Sequence, residues 1–290
     1  MKSLLKVAIR RTVAKSVALL DSTRAGRFIY AQMVDNIMSR TRTIEHGGHS
    51  LVFCVPNAQN RYRIDTFSTK EPETLEWIDS LPRGAVLWDI GANVGLYSCY
   101  AAARQGCRVF AFEPSVFNLE LLARNIHLNG LTDRVTIVPL ALSDSLAVSK
   151  LNLSNTEWGG ALSTFGRAYG HDGHSLQKVF EFGTVGLSML DAVEALRLPR
   201  PDYIKMDVDG IEHLILRGGQ AVLTQIRGIL VEINDGFDEQ ARGSALCLES
   251  AGLTLLAKRH SQMVEDSEFR NAFNQIWARK DSVSNAKNER

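Results

Sequence analysis

The chain has 290 residues, 45% apolar and 22% charged, enough for one large domain with its own core or a domain with an appendage. A formal net charge of +1 gives no basis for bulk nucleic-acid binding, so nucleic acid is not expected as a partner. The four cysteines (Cys54, Cys99, Cys107 and Cys247) lack ligand spacing, which argues against zinc or a disulfide framework and for thiols in a reducing, cytoplasmic setting.

From Met1 to Leu20 there are five basic residues (Lys2, Lys6, Arg10, Arg11, Lys15) and no acid. Leu5, Ile9, Val13, Val17 and Leu20 recur at helical spacing, which describes a basic amphipathic helix. Its apolar runs are too broken for a membrane span or a signal peptide. Two readings stay open: packing against the domain or a sister subunit of a homo-oligomer, and peripheral contact of residues 1–20 with an anionic membrane surface. Residues 1–50 are therefore set apart as an N-terminal extension, helical over 3–38. Leu51 to Pro56 and Tyr62 to Phe67 read as a hairpin around residues 57–60. Glu71 to Ser80, with Pro72 in its first turn, reads as a helix.

From there the sequence alternates. Strands are expected near 85–89, 107–112, 134–139, 202–207 and 227–233, with helices near 94–105, 115–128, 188–196, 211–224 and 238–250. Near-continuous apolar strands of this kind suit a parallel sheet covered on both faces, an α/β fold. Leu253 to Lys258 and Phe273 to Ala278 supply two more strands, an antiparallel pair at one edge, and 280–290 is a polar tail. Residues 51–279 form the main domain. Residues 145–187 interrupt its alternation with a strand near 148–153 and a stretch rich in Gly, Ser, His and Asn, a candidate acceptor-side flap.

Two constellations carry chemistry. The first is Val86 to Pro114: a strand ending in Asp89, a turn Gly91-Ala-Asn93-Val-Gly95, a helical segment, and a second strand ending in Glu113. A glycine turn lets backbone approach a ligand, and the second acid is placed to hold ribose hydroxyls. A dinucleotide fingerprint would have glycine where Asn93 stands, and Asp89 before the turn suits an ammonium better than a phosphate. S-adenosylmethionine meets both conditions. A nicotinamide enzyme, or an ordinary strand-turn-helix without ligand, is the alternative. The second constellation is Lys205-Met-Asp207-Val-Asp209-Gly-Ile-Glu212, in which Lys205 and Asp207 share one face of a strand. Glu232 ends the following strand. A charged cluster at the carboxyl end of a central strand is better explained by ligand contact than by a structural ion pair. Helix capping is the alternative for Asp209 and Glu212. In a doubly wound sheet Asp89, Glu113, Asp207 and Glu232 would face one crevice.

These pieces resemble the FkbM family of S-adenosylmethionine-dependent methyltransferases. The resemblance rests on Glu71-Pro-Glu-Thr74, WDIGANVG at 88–95, FEP at 112–114, Asn118, Asn125 to Asn129, Ala141-Leu-Ser-Asp144, IKMDVDGIE at 204–212 and LVEI at 230–233. The family often has Glu where this chain has Asp209. The resemblance implies a Rossmann-like, seven-stranded class I methyltransferase sheet with its last strand antiparallel. It also implies S-adenosylmethionine as cofactor and methyl transfer to a hydroxyl of a sugar, glycolipid, polysaccharide or natural product. On that reading Gly91, Asn93 and Gly95 shape the loop around the methionine part and Asp89 serves its ammonium. Glu113 and Pro114 border the ribose, Ser143 and Asp144 the adenine, and Thr74 the carboxylate end. Asp207 is the expected base or hydroxyl-orienting group, tuned by Lys205, with Glu212 and Glu232 as further choices. No resident metal is expected, although an oxygen-rich cluster could hold magnesium or calcium. Methylation of nitrogen or of a protein side chain, or a non-catalytic cofactor-binding or scaffold protein, would use the same residues differently.

Overall fold

The computed structural model describes residues 2–279, so the expected tail over 280–290 lies outside the described residues. Two helices, α1 (Lys2–Asp21) and α2 (Arg24–Met38), stand where one was expected. The break has a local cause. Thr23 is extended and its hydroxyl accepts from the Gly26 N–H, an N-cap that starts a new helix.

A hairpin of β1 (Thr41–His46) and β2 (His49–Cys54) follows. It replaces the hairpin expected from 51–56 and 62–67. Gly47 and Gly48, at φ 56° and 78°, supply the two left-handed residues that a tight hairpin turn needs. Asn57 caps a helix instead of making a turn: its side chain accepts from the Asn60 N–H at 2.8 Å and opens α3 (Ala58–Asp65). Short α4 (Phe67–Lys70) and α5 (Pro72–Asp79) complete the approach to the main sheet, with Pro72 in the first turn of α5.

The alternating part runs β3 (Val86–Ile90), α6 (Leu96–Arg104), β4 (Arg108–Phe112), α7 (Val116–Leu128) and β5 (Val135–Val138). After an insertion of β6 (Ala141–Leu142), β7 (Ala147–Leu153), β8 (Ser163–Phe165) and β9 (Phe180–Leu187), it resumes with α8 (Met189–Glu194), β10 (Tyr203–Met206), α9 (Glu212–Gly218) and α10 (Gln220–Leu223). Then come β11 (Gly228–Asn234), α11 (Asp238–Ser250), β12 (Thr254–Arg259) and β13 (Ala272–Ala278). The seven-stranded sheet has the order β12-β13-β11-β10-β3-β4-β5. Strands β3, β4, β5, β10 and β11 are parallel, and β13 lies antiparallel between β11 and β12. This is the class I methyltransferase sheet, with its last strand antiparallel. The chain leaves β3 toward β4 and returns on the other side to β10, so the topological switch lies between β3 and β10.

Strand β3 shows how the core is divided: Trp88 packs into the cluster on one face and Leu87 into the cluster on the other. Leu51 and Phe53 of β2 join the second cluster. The outer edge of β2 is satisfied by amides of α7. The Asn129 side chain bonds both the N–H (2.8 Å) and the carbonyl (2.7 Å) of Val52, and Asn125 accepts from the Cys54 N–H at 2.8 Å. The insertion forms its own four-stranded sheet, order β6-β9-β7-β8, and so is more regular than its sequence suggests.

Candidate cofactor and acceptor site

The crevice is built at the carboxyl ends of β3, β4, β10 and β11. Gly91 follows β3 at φ 83°, and a Cβ there would lie 1.8 Å from the Asp207 carbonyl oxygen. Only glycine allows the ends of β3 and β10 to approach so closely. Asn93 is left-handed at φ 51°, a conformation that asparagine tolerates better than most residues. Its backbone N–H donates to Glu113 at 2.9 Å, and its side chain donates to the Gly160 carbonyl at 2.9 Å. Gly95, at φ 80°, starts α6 from behind the crevice, where a Cβ would meet Leu122 at 2.4 Å.

Glu113 is 4% exposed and accepts from the N–H groups of Asn93 and, at 2.8 Å, Ser115. Burial pushes its carboxyl up to about 7, against the opposing effect of those N–H donors. With Pro114, Asn118, Leu142 and Phe165 it lines a first cavity. A second cavity, of about 260 Å³, opens beside it and is lined by Arg63, Glu71, Glu232, His260 and Phe269 among others. Gly91, Asn93, Asp207 and Asp209 border both cavities. Between the cavities lies the segment around Gly160. Its carbonyl receives the amides of Asn93 and, at 3.1 Å, Asn118, and Asp209 accepts from the N–H groups of Leu162 (2.8 Å) and Ser163 (3.2 Å). Burial and the neighbouring Asp207 raise Asp209 to about 6.

Lys205 is 3% exposed, 3.5 Å from Asp207, 3.7 Å from Asp89 and 5.4 Å over the Tyr97 ring. Burial opposes its charge, but the carboxylates of Asp207, Asp89 and Glu71 outweigh burial and hold it protonated. Glu71 is also almost buried. Burial would raise its carboxyl, but the ammonium groups of Lys70 (2.7 Å away) and Lys205 hold it at about 2. Glu232 has no cation within salt-bridge distance among the described residues, and the more distant Lys70 only partly offsets what its neighbours do. Burial and the charges of Asp207 and Glu71 push it well above the carboxylate range. Among the described residues no group of three or more His, Cys, Asp or Glu side chains is arranged to hold a metal ion.

Several expected site residues are placed elsewhere. Asp89 is 1% exposed and sits beneath the turn, where it accepts from the Ser98 hydroxyl at 2.6 Å and faces Lys205. It holds the lysine rather than lining the crevice. Glu212, 1% exposed, accepts from the N–H groups of Val208 (3.0 Å) and Gly210 (3.1 Å) and from the Gln240 amide, so it braces the turn instead of meeting a ligand. Ser143 and Asp144 turn away from the crevice. The Ser143 N–H bonds the Leu187 carbonyl at 2.9 Å, and Asp144 pairs with Arg217. Leu140, Ala141 and Leu142 line the cavity in their place. Thr74 is fully buried, with its hydroxyl 3.4 Å from Glu71.

Sequence reasoning passed over Arg63, Lys70 and Glu71 as site residues. Arg63 stands in what was read as a strand, whereas α3 and α4 turn it and Lys70 toward the crevice. Glu71 carried a signal, in the Glu-Pro-Glu-Thr motif. Asn118 carried one too, as a lone amide soon after the acid that ends β4.

A doubly wound sheet of this order, with a glycine turn and an acid ending the neighbouring strand, defines a class I methyltransferase. More narrowly, this chain belongs to the FkbM methyltransferase family, whose domain model, Methyltransferase FkbM domain, matches residues 89–276. It is an S-adenosylmethionine-dependent methyltransferase. It is 26% identical over 199 residues to the hexuronic acid methyltransferase AglP of Haloferax volcanii, covering 67% of this chain and 74% of that protein. It is 28% identical over 214 residues to the AMB antimetabolite synthetase AmbE of Pseudomonas aeruginosa, spanning 62% of this chain and only 10% of AmbE. The crystal structure of a methyltransferase FkbM from Methylobacillus flagellatus aligns with a TM-score of 0.49 and 14% identity, over 73% of this chain and 49% of that one.

Proposed function

We propose that the enzyme methylates a hydroxyl oxygen of a sugar, free or carried on a glycolipid, polysaccharide or natural product. The observation that carries this reading is that Asp207 borders both cavities, one suited to the cofactor and the other to an acceptor. Glu113, Pro114, Gly91 and Asn93 fit the nucleoside part of S-adenosylmethionine: a buried carboxyl for the ribose hydroxyls beside a turn that a Cβ would fill. Glu71 takes the role expected of Asp89, a carboxylate near the cofactor's ammonium, because it also lines a pocket directly against the glycine turn, with Gly91, Ala92 and Asn93, and stays ionised. When bound, the cofactor supplies an electrophilic methyl group on a sulfonium leaving group.

The protein's own residues then align and deprotonate the acceptor. The second cavity joins carboxyl groups to the aromatic side chains Tyr62, Phe269 and His260, a lining that suits a ring apolar on its faces and hydroxylated at its edges. Asp207 is partly exposed there and accepts the hydroxyl proton, while Lys205 holds its carboxylate in place. Glu232, raised by its neighbours, keeps its proton and donates to a second acceptor oxygen. Alignment is the larger contribution, worth up to about 7–11 kcal/mol in favourable systems. The relative AglP, named a hexuronic acid methyltransferase, supports a sugar acceptor.

A second reading, transfer to an amine, is favoured by the surplus of carboxyl groups over cations around the second cavity. Metabolite and glycan profiling with and without the gene, reading the mass of one added methylene and its position, tests both. A methylated hydroxyl supports the first reading, and a methylated nitrogen replaces it with the second. Asp207→Asn should reduce turnover strongly and leave affinity for S-adenosylhomocysteine, measured by titration calorimetry, close to wild type. Unchanged turnover would remove Asp207 from the mechanism.

A further inference from the structure

Helices α1 and α2 leave most of their described large apolar side chains uncovered. Of the 25 large hydrophobic residues that are exposed among the described residues, 11 fall between Leu5 and Ile37. On α1, Leu5, Ile9 and Val13 are 64%, 54% and 56% exposed at four-residue spacing, and on α2 Ile29, Met33 and Ile37 repeat the pattern at 49%, 53% and 42%. Phe28, 67% exposed, adds an aromatic ring. A concentration of this kind marks an interaction surface.

Charge identifies the partner. Residues 1–38 carry seven Lys and Arg against two Asp, while the whole chain has 33 basic and 32 acidic residues; residues 39–290 are therefore net negative, 26 against 30. The excess positive charge of the chain is thus concentrated in the segment that also exposes apolar side chains. Arg10, Arg11, Lys15, Arg24 and Arg27 are all exposed. Apposing a second copy through these helices would bring those cations together. A layer of anionic lipid headgroups neutralises them while the apolar side chains enter the acyl boundary. Neither helix is long and apolar enough to cross a membrane, so the helices would lie in the interface.

We propose that the α1–α2 hairpin docks the enzyme on an anionic phospholipid surface. The stripe Leu5–Ile9–Val13 and its counterpart Ile29–Met33–Ile37 insert, and the arginines contact headgroup phosphates. The proposal is independent of the acceptor's identity, because it concerns where the catalytic domain is held.

Co-sedimentation of the full chain with two kinds of vesicle tests it. The protein should sediment with phosphatidylcholine vesicles containing phosphatidylglycerol, stay in solution with phosphatidylcholine alone, and be released by added salt. Arg10→Gln with Arg11→Gln and Lys15→Gln should weaken vesicle binding by at least about tenfold. Ile9→Asp with Val13→Asp should abolish it, with circular dichroism and S-adenosylhomocysteine affinity unchanged. Three results would overturn the proposal: no sedimentation with either vesicle, equal sedimentation with both, or a dimer in analytical ultracentrifugation that Ile9→Asp/Val13→Asp dissolves while vesicles bind nothing. The last result would assign the surface to a second copy of the chain.

Discussion

The protonation state of Glu113 is the most demanding test of the cofactor site. The carboxylate already accepts from two backbone N–H groups, of Asn93 and Ser115, and two ribose hydroxyls would use its remaining lone pairs. A protonated carboxyl gives up an acceptor position and turns a donor toward one of those four donors. With the free group at about 7, lowering the pH from about 8 to about 5.5 should weaken S-adenosylhomocysteine binding about thirtyfold, if the bound carboxyl stays ionised throughout. The sign for the unliganded protein is opposite. A carboxyl raised on folding contributes stability that is present below the unfolded value of about 4.5 and is lost as pH rises to about 7, at most roughly 3 kcal/mol. Ligand-induced thermal stabilisation should therefore be larger at about pH 8 than at about pH 5.5. Glu113→Gln should flatten the binding profile and cost about 2–4 kcal/mol of affinity at the higher pH, by replacing charge-assisted bonds and pointing an NH₂ at a donor. Titration calorimetry across the range decides the matter. A flat wild-type profile, or a Glu113→Gln variant that binds like wild type, would refute the assignment of Glu113 to the ribose.

Gly91→Ala should lower the unfolding temperature and the cofactor affinity together, because its Cβ would stand 1.8 Å from the Asp207 carbonyl and separate β3 from β10; a variant with wild-type affinity would contradict that contact. Lys205→Met leaves Asp89 buried with only the Ser98 hydroxyl and should cost about 3–5 kcal/mol in denaturant unfolding. Adding Asp89→Asn should recover part of that loss, and simple additivity of the two substitutions would disprove the pairing. Asn118→Ala should speed cofactor release only modestly, by about 1 kcal/mol or less, because Asn93 still holds the Gly160 carbonyl at 2.9 Å; stopped-flow release at the wild-type rate would show that the Asn118 amide does not hold the segment in place.

The alternation of apolar runs and helical periods was legible from Val86 onward, and with it the α/β sheet, its antiparallel edge and the acid-ended strands. These features were legible because each rests on local propensity and on burial of whole strands, which residue order alone records. Glycines with a steric duty were legible as well: Gly91 stands where no side chain fits. The cofactor class was read from Asn93 and Asp89, although Asp89 proves to face Lys205 and Ser98 beneath the turn. The register of the N-terminal hairpin was misread, because Asn57 can serve a turn or a helix cap and only the docking of β2 on α7 selects the cap. The direction in which each carboxylate points belongs to the tertiary structure. Asp89 flanks Lys205 from the neighbouring strand β3 and Asp207 from the end of its own strand β10, yet one is sealed beneath the turn and the other opens to both cavities. Glu212 looked catalytic beside Asp207, but the backbone N–H groups of its own turn take up its carboxylate. Glu71, Arg63 and Lys70 reach the crevice only because short helices fold back over it, a long-range placement that no local pattern encodes. Sequence alone therefore determined the fold and the methyl donor, since both depend on short-range order. Packing decided which charges meet the ligands, since burial and pairing depend on neighbours distant along the chain.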